Sequence, residues 1–122
     1  MDSTQIAELA RKHLSIWNEA NEGVRTPAMK EVYAPQAKII DPFFEVTGHG
    51  PLNGLIADLH KQYPGYKLRM TTPVESHHNV GRFFWQFGPT EAPGKITGQD
   101  VFKIENGLIS ELFVFIDKAE NK

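Results

Sequence analysis

Three side chains in this sequence carry chemistry that their neighbours do not account for: Asp100, His13 and Asp41. Asp100 lies in the run Gly98-Gln99-Asp100-Val101-Phe102-Lys103-Ile104-Glu105. An extended chain alternates its side chains between two faces. Asp100 therefore shares a face with Gly98, Phe102 and Ile104, while Gln99, Val101, Lys103 and Glu105 form the wetter side. An unpaired charge on an apolar face is costly. Burial disfavours the charged form of a carboxyl, so Asp100 is a candidate proton donor. Isolated acids in such places gather at functional sites. The bland alternative is a buried aspartate satisfied by His13, a backbone amide or water.

His13 falls on the apolar stripe of the first helix. There it can orient Asp100, donate to a substrate oxygen or shuttle a proton; the alternative is a core histidine with one satisfied nitrogen. Asp41 precedes Pro42, a pair that commonly starts a turn through bonds from backbone amides to the carboxyl. To act as a base it must face the same cavity as Asp100. His77 and His78 are adjacent, so on a strand they point to opposite faces, and no third ligand stands at a sensible spacing. No metal site is expected. His49, between Gly48 and Gly50, is a candidate for a pocket rim. No dinucleotide fingerprint, phosphate-cradling loop or nucleophile elbow is present, and no cofactor is expected.

The elements that position these groups follow from periodicity and punctuation. Ser3 or Thr4 caps a first helix with a stripe of Ile6, Leu9, Ala10, Leu14, Ile16, Trp17 and Ala20. Asn21-Glu22-Gly23 stops it, with Gly23 as a left-handed cap. A short second helix starts at Thr26-Pro27 and ends at Pro35. Strands are expected over residues 37–41 and 43–47. Pro51 then opens a third helix on Leu52, Leu55, Ile56, Leu59 and Tyr63, in which Gly54 suggests a close contact. Residues 67–76 read as a strand weakened at Pro73. Asn79-Val80-Gly81 turns the chain into a strand over residues 82–87. Finally, Asn106-Gly107 supplies the two positive-φ residues of a tight hairpin turn. The order α-α-β-β-α-β-β-β-β makes an α+β domain, with helices on one face of a curved sheet continued as an antiparallel meander.

The chain of 122 residues suits one domain, residues 1–122, without staples. Its formal net charge of −2 argues against phosphate neutralisation, so no nucleic-acid partner is expected. It has no cysteine, hence no disulfide, thiolate metal site or cysteine nucleophile. No leader-like segment and no membrane-length apolar run is seen, so a cytoplasmic protein is expected.

Tyr33-Ala34-x-x-Ala37-x-x-x-Asp41-Pro42, Gly48-x-Gly50, Tyr63-Pro64 and the Thr97-Gly98-Gln99-Asp100-Val101-Phe102 … Asn106-Gly107-x-Ile109 hairpin resemble the NTF2-like superfamily, in particular its SnoaL-like branch. The resemblance implies a cone: a strongly curved sheet wrapped around helices, enclosing an apolar pocket. The ketosteroid isomerase type within it implies a general base at Asp41 and a protonated, hydrogen-bond-donating acid at Asp100; that enzyme is a standard example of carboxyls separated in pKa. His13 stands where that type has an oxyanion-binding tyrosine. The Arg-x-Asp run of the superfamily's epoxide hydrolases is replaced by Gly98-Gln99-Asp100. Expected pocket walls are Trp17, Phe43, Phe83, Trp85, Phe102, Leu112 and Ile116. The implied function is cofactor-free acid–base chemistry next to a carbonyl, as in isomerases, polyketide cyclases or dehydratases. The ligand is then an apolar or aromatic small molecule. A non-catalytic binding module is the alternative, as is a scaffold that self-associates. A homodimer is expected through the outer sheet face, around Val101, Phe113 and Phe115.

Overall fold

The computed structural model describes residues 1–118. Helix α1 (Ser3–Asn18) buries Ile6, Leu9, Ala10, His13 and Ile16, the stripe expected from the 3.6-residue period. Its cap is Asp2 rather than Ser3 or Thr4. Asp2 accepts the Gln5 backbone N–H at 2.8 Å while the Gln5 side chain accepts the Asp2 N–H at 2.9 Å, a reciprocal pair that satisfies two orphan donors. The second helix starts earlier than expected. Asn21 caps α2 (Glu22–Val32) on the Gly23 N–H at 2.8 Å, so Gly23 is helical and Pro27 sits inside the helix. Thr26 is therefore no cap; its hydroxyl donates to the Glu22 carbonyl.

Strand β1 (Tyr33–Ile40) takes in Pro35, and β2 (Glu45–Thr47) returns beside it. Helix α3 (His49–Gln62) begins two residues before Pro51, after Gly48 at φ 93°. A Cβ on Gly54 would meet nothing within 4 Å, so the close contact expected there is absent. The stretch expected as one strand over residues 67–76 is two, β3 (Lys67–Met70) and β4 (Glu75–His77), both antiparallel to β5 (Val80–Gly88). Pro73 between them has no N–H for the ladder. His78, at φ 52°, starts the turn into β5 one residue sooner than Asn79. Between β6 (Ile96–Glu105) and β7 (Leu108–Lys118), Asn106 and Gly107 have φ of 53° and 78°, as the hairpin required.

The strands form one curved, unclosed sheet in the order β2-β1-β7-β6-β5-β3, with β4 also on β5. The β1–β7 pairing is parallel, which a meander does not contain. It sets β7 beside the first strand, in the interior of the sheet. The alternation expected on β6 is observed: Gly98, Asp100, Phe102 and Ile104 are buried, and Gln99, Val101 and Lys103 are half-buried on the outer side. Phe115 is exposed, and its β7 neighbour Phe113 is half-buried. Among the described residues no helix is long and apolar enough to cross a membrane.

The concave face has two unlike ends. At one, Phe83, Phe102 and Leu112 are fully buried in the core. At the other, the sheet parts from α3 and leaves a cavity of about 510 Å³.

Candidate active site

Asp100 sits where filled core gives way to cavity. It lines the cavity but is only 5% exposed. Both of its oxygens are engaged. Trp85 Nε1–H donates to Oδ1 at 2.9 Å, and His13 Nε2 lies 2.7 Å from Oδ2. The Trp85 bond depends on Gly98, its cross-strand partner. A Cβ at position 98 would stand 2.5 Å from the Trp85 ring and 2.1 Å from the Phe115 carbonyl. Glycine lets the indole lie across β6 and reach a carboxyl two residues further on.

The network continues past His13. Its Nδ1 lies 2.5 Å from the Tyr33 hydroxyl, which accepts the Trp17 Nε1–H at 3.1 Å. The proton positions follow from satisfying every donor. If His13 carried a proton on Nδ1, the Tyr33 oxygen would accept from both His13 and Trp17, and its own hydrogen would have no partner. With Tyr33 O–H donating to Nδ1, the imidazole proton sits on Nε2 and donates to Asp100. Asp100 is then a carboxylate that accepts twice. The path runs from Trp17 to Tyr33, His13 and Asp100, with Trp85 completing it. Burial pushes the Tyr33 hydroxyl well above the ordinary tyrosine range; the Trp17 bond opposes this and the Asp100 charge reinforces it.

His13 is 1% exposed and packs edge-on against Trp17, Tyr33 and Phe83. Both of its nitrogens face protein groups, Tyr33 and Asp100, and it is not among the described residues that line the cavity. Tyr33 was not among the expected site residues. Its one signal is position: it opens β1 directly after α2, and a buried histidine on α1 needs a partner for its second nitrogen.

Asp41 stands at the cavity mouth. Its Oδ1 accepts the backbone N–H of Phe43 at 2.8 Å and of Phe44 at 2.7 Å, the turn expected from Asp-Pro. It lines the same cavity as Asp100, and so do Phe43, Phe44 and Asp58. Phe43 is 73% exposed, with its ring edge-on to Phe44. Of the expected walls, Trp17, Phe43, Trp85 and Ile116 line the cavity. Phe83, Phe102 and Leu112 do not: all three are 0% exposed in the packed end, since strand parity fixes a face but not a depth along the strand. Phe44, Asp58 and Tyr63 line it without having been expected.

The remaining histidines sit away from this chemistry. His49 Nε2 lies 3.0 Å from the Tyr33 and Ala34 carbonyls and ties α3 to β1. His60 Nε2 donates to the Trp17 carbonyl at 2.8 Å, closing the end of α1. His77 and His78 do not diverge as expected: the left-handed backbone of His78 brings their Nδ1 atoms to 3.2 Å on the exposed surface. No group of three metal-ligating side chains is found among the described residues. Arg82 pairs with Glu75 across the β4–β5 ladder at 3.0 Å on the exposed surface.

A curved, open sheet wrapped over three helices, with a carboxyl at the base of an apolar cavity, defines a protein of the NTF2-like class. The model of the SnoaL-like domain family matches residues 10–112, and the chain belongs to that family. No curated protein matches the sequence. Among solved structures, a candidate isomerase of the SnoaL-like family from Agrobacterium tumefaciens superposes with a TM-score of 0.88 at 24% identity, covering 93% of this chain and 98% of the other. A candidate SnoaL-like polyketide cyclase from Jannaschia sp. gives 0.75 at 17% identity, covering 93% and 86%. A candidate ketosteroid isomerase from Kribbella flavida gives 0.68 at 18%, covering 98% and 82%. At these identities the likeness is one of fold.

Proposed function

We propose that the protein is a small-molecule enzyme that moves a proton at a carbon next to a carbonyl, with Asp100 as the base. The observation that carries this reading is the bonding of Asp100. Its two protein hydrogen bonds both come from donors, so Asp100 works as an acceptor, the opposite of the donor role implied by the ketosteroid isomerase resemblance. Each carboxylate oxygen has two lone pairs, and one on each is left for a ligand in the cavity. In the first step the C–H proton passes to Asp100 and the bonding electrons move into an enolate. Returning the proton to another carbon isomerises the substrate; attack of the enolate on a second carbonyl cyclises it. Both begin identically. Low polarity around the carboxylate strengthens its pull on the proton. His13, fixed by Tyr33, holds its orientation.

One observation favours a second reading, a binding module for an apolar ligand. The indole N–H groups of Trp17 and Trp85 are both committed within the protein, and Asp100 is only 5% exposed. Exchange of α-protons separates the two. Flat cyclic ketones are incubated with the protein in deuterium oxide, and proton NMR follows loss of the α-C–H signal, with binding measured in parallel. The enzyme reading expects ketones that bind to exchange faster with wild type than with Asp100→Asn. Ketones that bind without faster exchange would leave the binding module.

A further inference from the structure

The cavity wall is one-sided in charge. Among the described residues, sixteen line the cavity; they include three aspartates (Asp41, Asp58 and Asp100) and no lysine, arginine or histidine. Six of the sixteen are aromatic, from Trp17 and Trp85 inside to Phe43 and Phe44 at the mouth. The whole chain has a formal net charge of −2, so the cavity is more acidic than the molecule around it. A cleft lined by one sign of charge and walled by low-dielectric groups focuses its field on whatever enters. Aromatic faces add negative potential, which draws cations more strongly once water is displaced. Tyr63 and Phe87 hold each other edge-on at 5.5 Å and Tyr66 packs against both, so this wall is fixed in place.

An anionic ligand would enter this space with no cation among the described wall residues to meet it. A neutral ketone would be tolerated, but the enolate formed from it would find no positive side chain among the described wall residues. A ligand that carries its own positive charge resolves both points.

We infer that the cavity takes an organic cation, a protonated or quaternary amine on an aromatic or polycyclic apolar body. The inference rests on the reading that this cavity is the ligand site, and it narrows the substrate class to amine-bearing ketones. The ammonium group sits among the aromatic rings and the Asp41 and Asp58 carboxyls. The carbon beside the carbonyl faces Asp100. The ammonium then offsets the negative charge that builds on the carbonyl oxygen, where the described wall residues offer only neutral donors such as the Tyr63 hydroxyl and the Gln62 amide.

The test uses three probes of one shape, each titrated by calorimetry at low and at physiological salt: 4-hydroxybenzyltrimethylammonium, its neutral isostere 4-neopentylphenol, and 4-hydroxybenzylsulfonate. The expected result is that the ammonium binds about tenfold or more tighter than the neutral isostere. It should weaken as salt rises, while the sulfonate shows no binding. Asp58→Asn should weaken the ammonium severalfold and leave the neutral probe unchanged. Equal or tighter binding of the neutral probe would overturn the charge inference and leave the cavity reading standing. Binding of the sulfonate would do the same. Absence of binding by all three would remove the cavity as a ligand site and both readings with it.

Discussion

Asp100 at the cavity floor and Asp41 at its mouth each accept two hydrogen bonds, but their donors lie at very different distances along the chain. Those of Asp100 are side chains 15 and 87 residues away, on β5 and α1. Those of Asp41 are the backbone N–H groups two and three residues on. The floor is thus a product of the tertiary fold and nearly closed to solvent, whereas the mouth is a local turn that lies open to it. A buried polar group that loses its partner carries the full cost of desolvation, while an exposed one turns to solvent. Equivalent substitutions at the two aspartates should therefore differ severalfold in effect.

The largest effect is expected for Asp100→Ala. It strands the Trp85 Nε1–H and the His13 Nε2–H together, at about 1–3 kcal/mol for each buried donor. Against a total stability of roughly 5–15 kcal/mol for a domain of this kind, a loss of about 2–6 kcal/mol brings the protein close to unfolding. Urea unfolding measures it. A loss under about 1 kcal/mol would mean that water replaces the carboxyl and that the floor is no drier than the mouth. Asp100→Asn should fall between: its amide oxygen can still accept from Trp85, but its NH2 meets the His13 N–H donor to donor.

Tyr33→Phe probes the far end of the same network with a smaller change. It leaves the Trp17 N–H and the His13 Nδ1 without their shared oxygen, a cost of about 1–3 kcal/mol. The same hydroxyl gives the protein an alkaline limit. Its pKa is raised in the folded state, so its contribution to stability is complete below the unfolded tyrosine value of about 10. It is lost as pH climbs from there toward the folded value. Wild type should lose stability above about pH 10 more steeply than Tyr33→Phe, as read from thermal unfolding at stepped pH. Equal slopes would show that Tyr33 ionises as freely folded as unfolded.

The same contrast explains what the sequence could reveal. Signals written in a few neighbouring residues were readable: the α1 stripe, the Asn106-Gly107 hairpin, the burial of Asp100 on its strand face and the Asp41 turn. Features that depend on distant partners were not. The parallel β1–β7 pairing joins segments more than seventy residues apart. Tyr33 joins the site only because that topology sets it beside α1. Strand parity put Phe83, Phe102 and Leu112 on the correct face. It could not show that the helices fill that end of the concave surface and leave the other open. Helix starts failed for a smaller reason. Asp2 and Asn21 compete with Ser3 and Thr26 as caps, and the choice turns on which side chain reaches a free N–H.

Asp41 gives the smallest effect and the sharpest check on the local account of the mouth. If the carboxyl serves as an acceptor for the Phe43 and Phe44 N–H groups, Asp41→Asn keeps the turn, because an amide oxygen can accept both bonds at the same place. Its stability should stay within about 0.5 kcal/mol of wild type. Asp41→Ala removes the acceptor, and the two N–H groups turn to water at about 1 kcal/mol, the scale of a lost helix cap. Hydrogen exchange at the Phe43 and Phe44 amides should then quicken in the alanine variant and hold steady in the asparagine one. Equal acceleration in both would mean that the negative charge at position 41, rather than the placing of one oxygen, keeps the two phenylalanines at the cavity mouth.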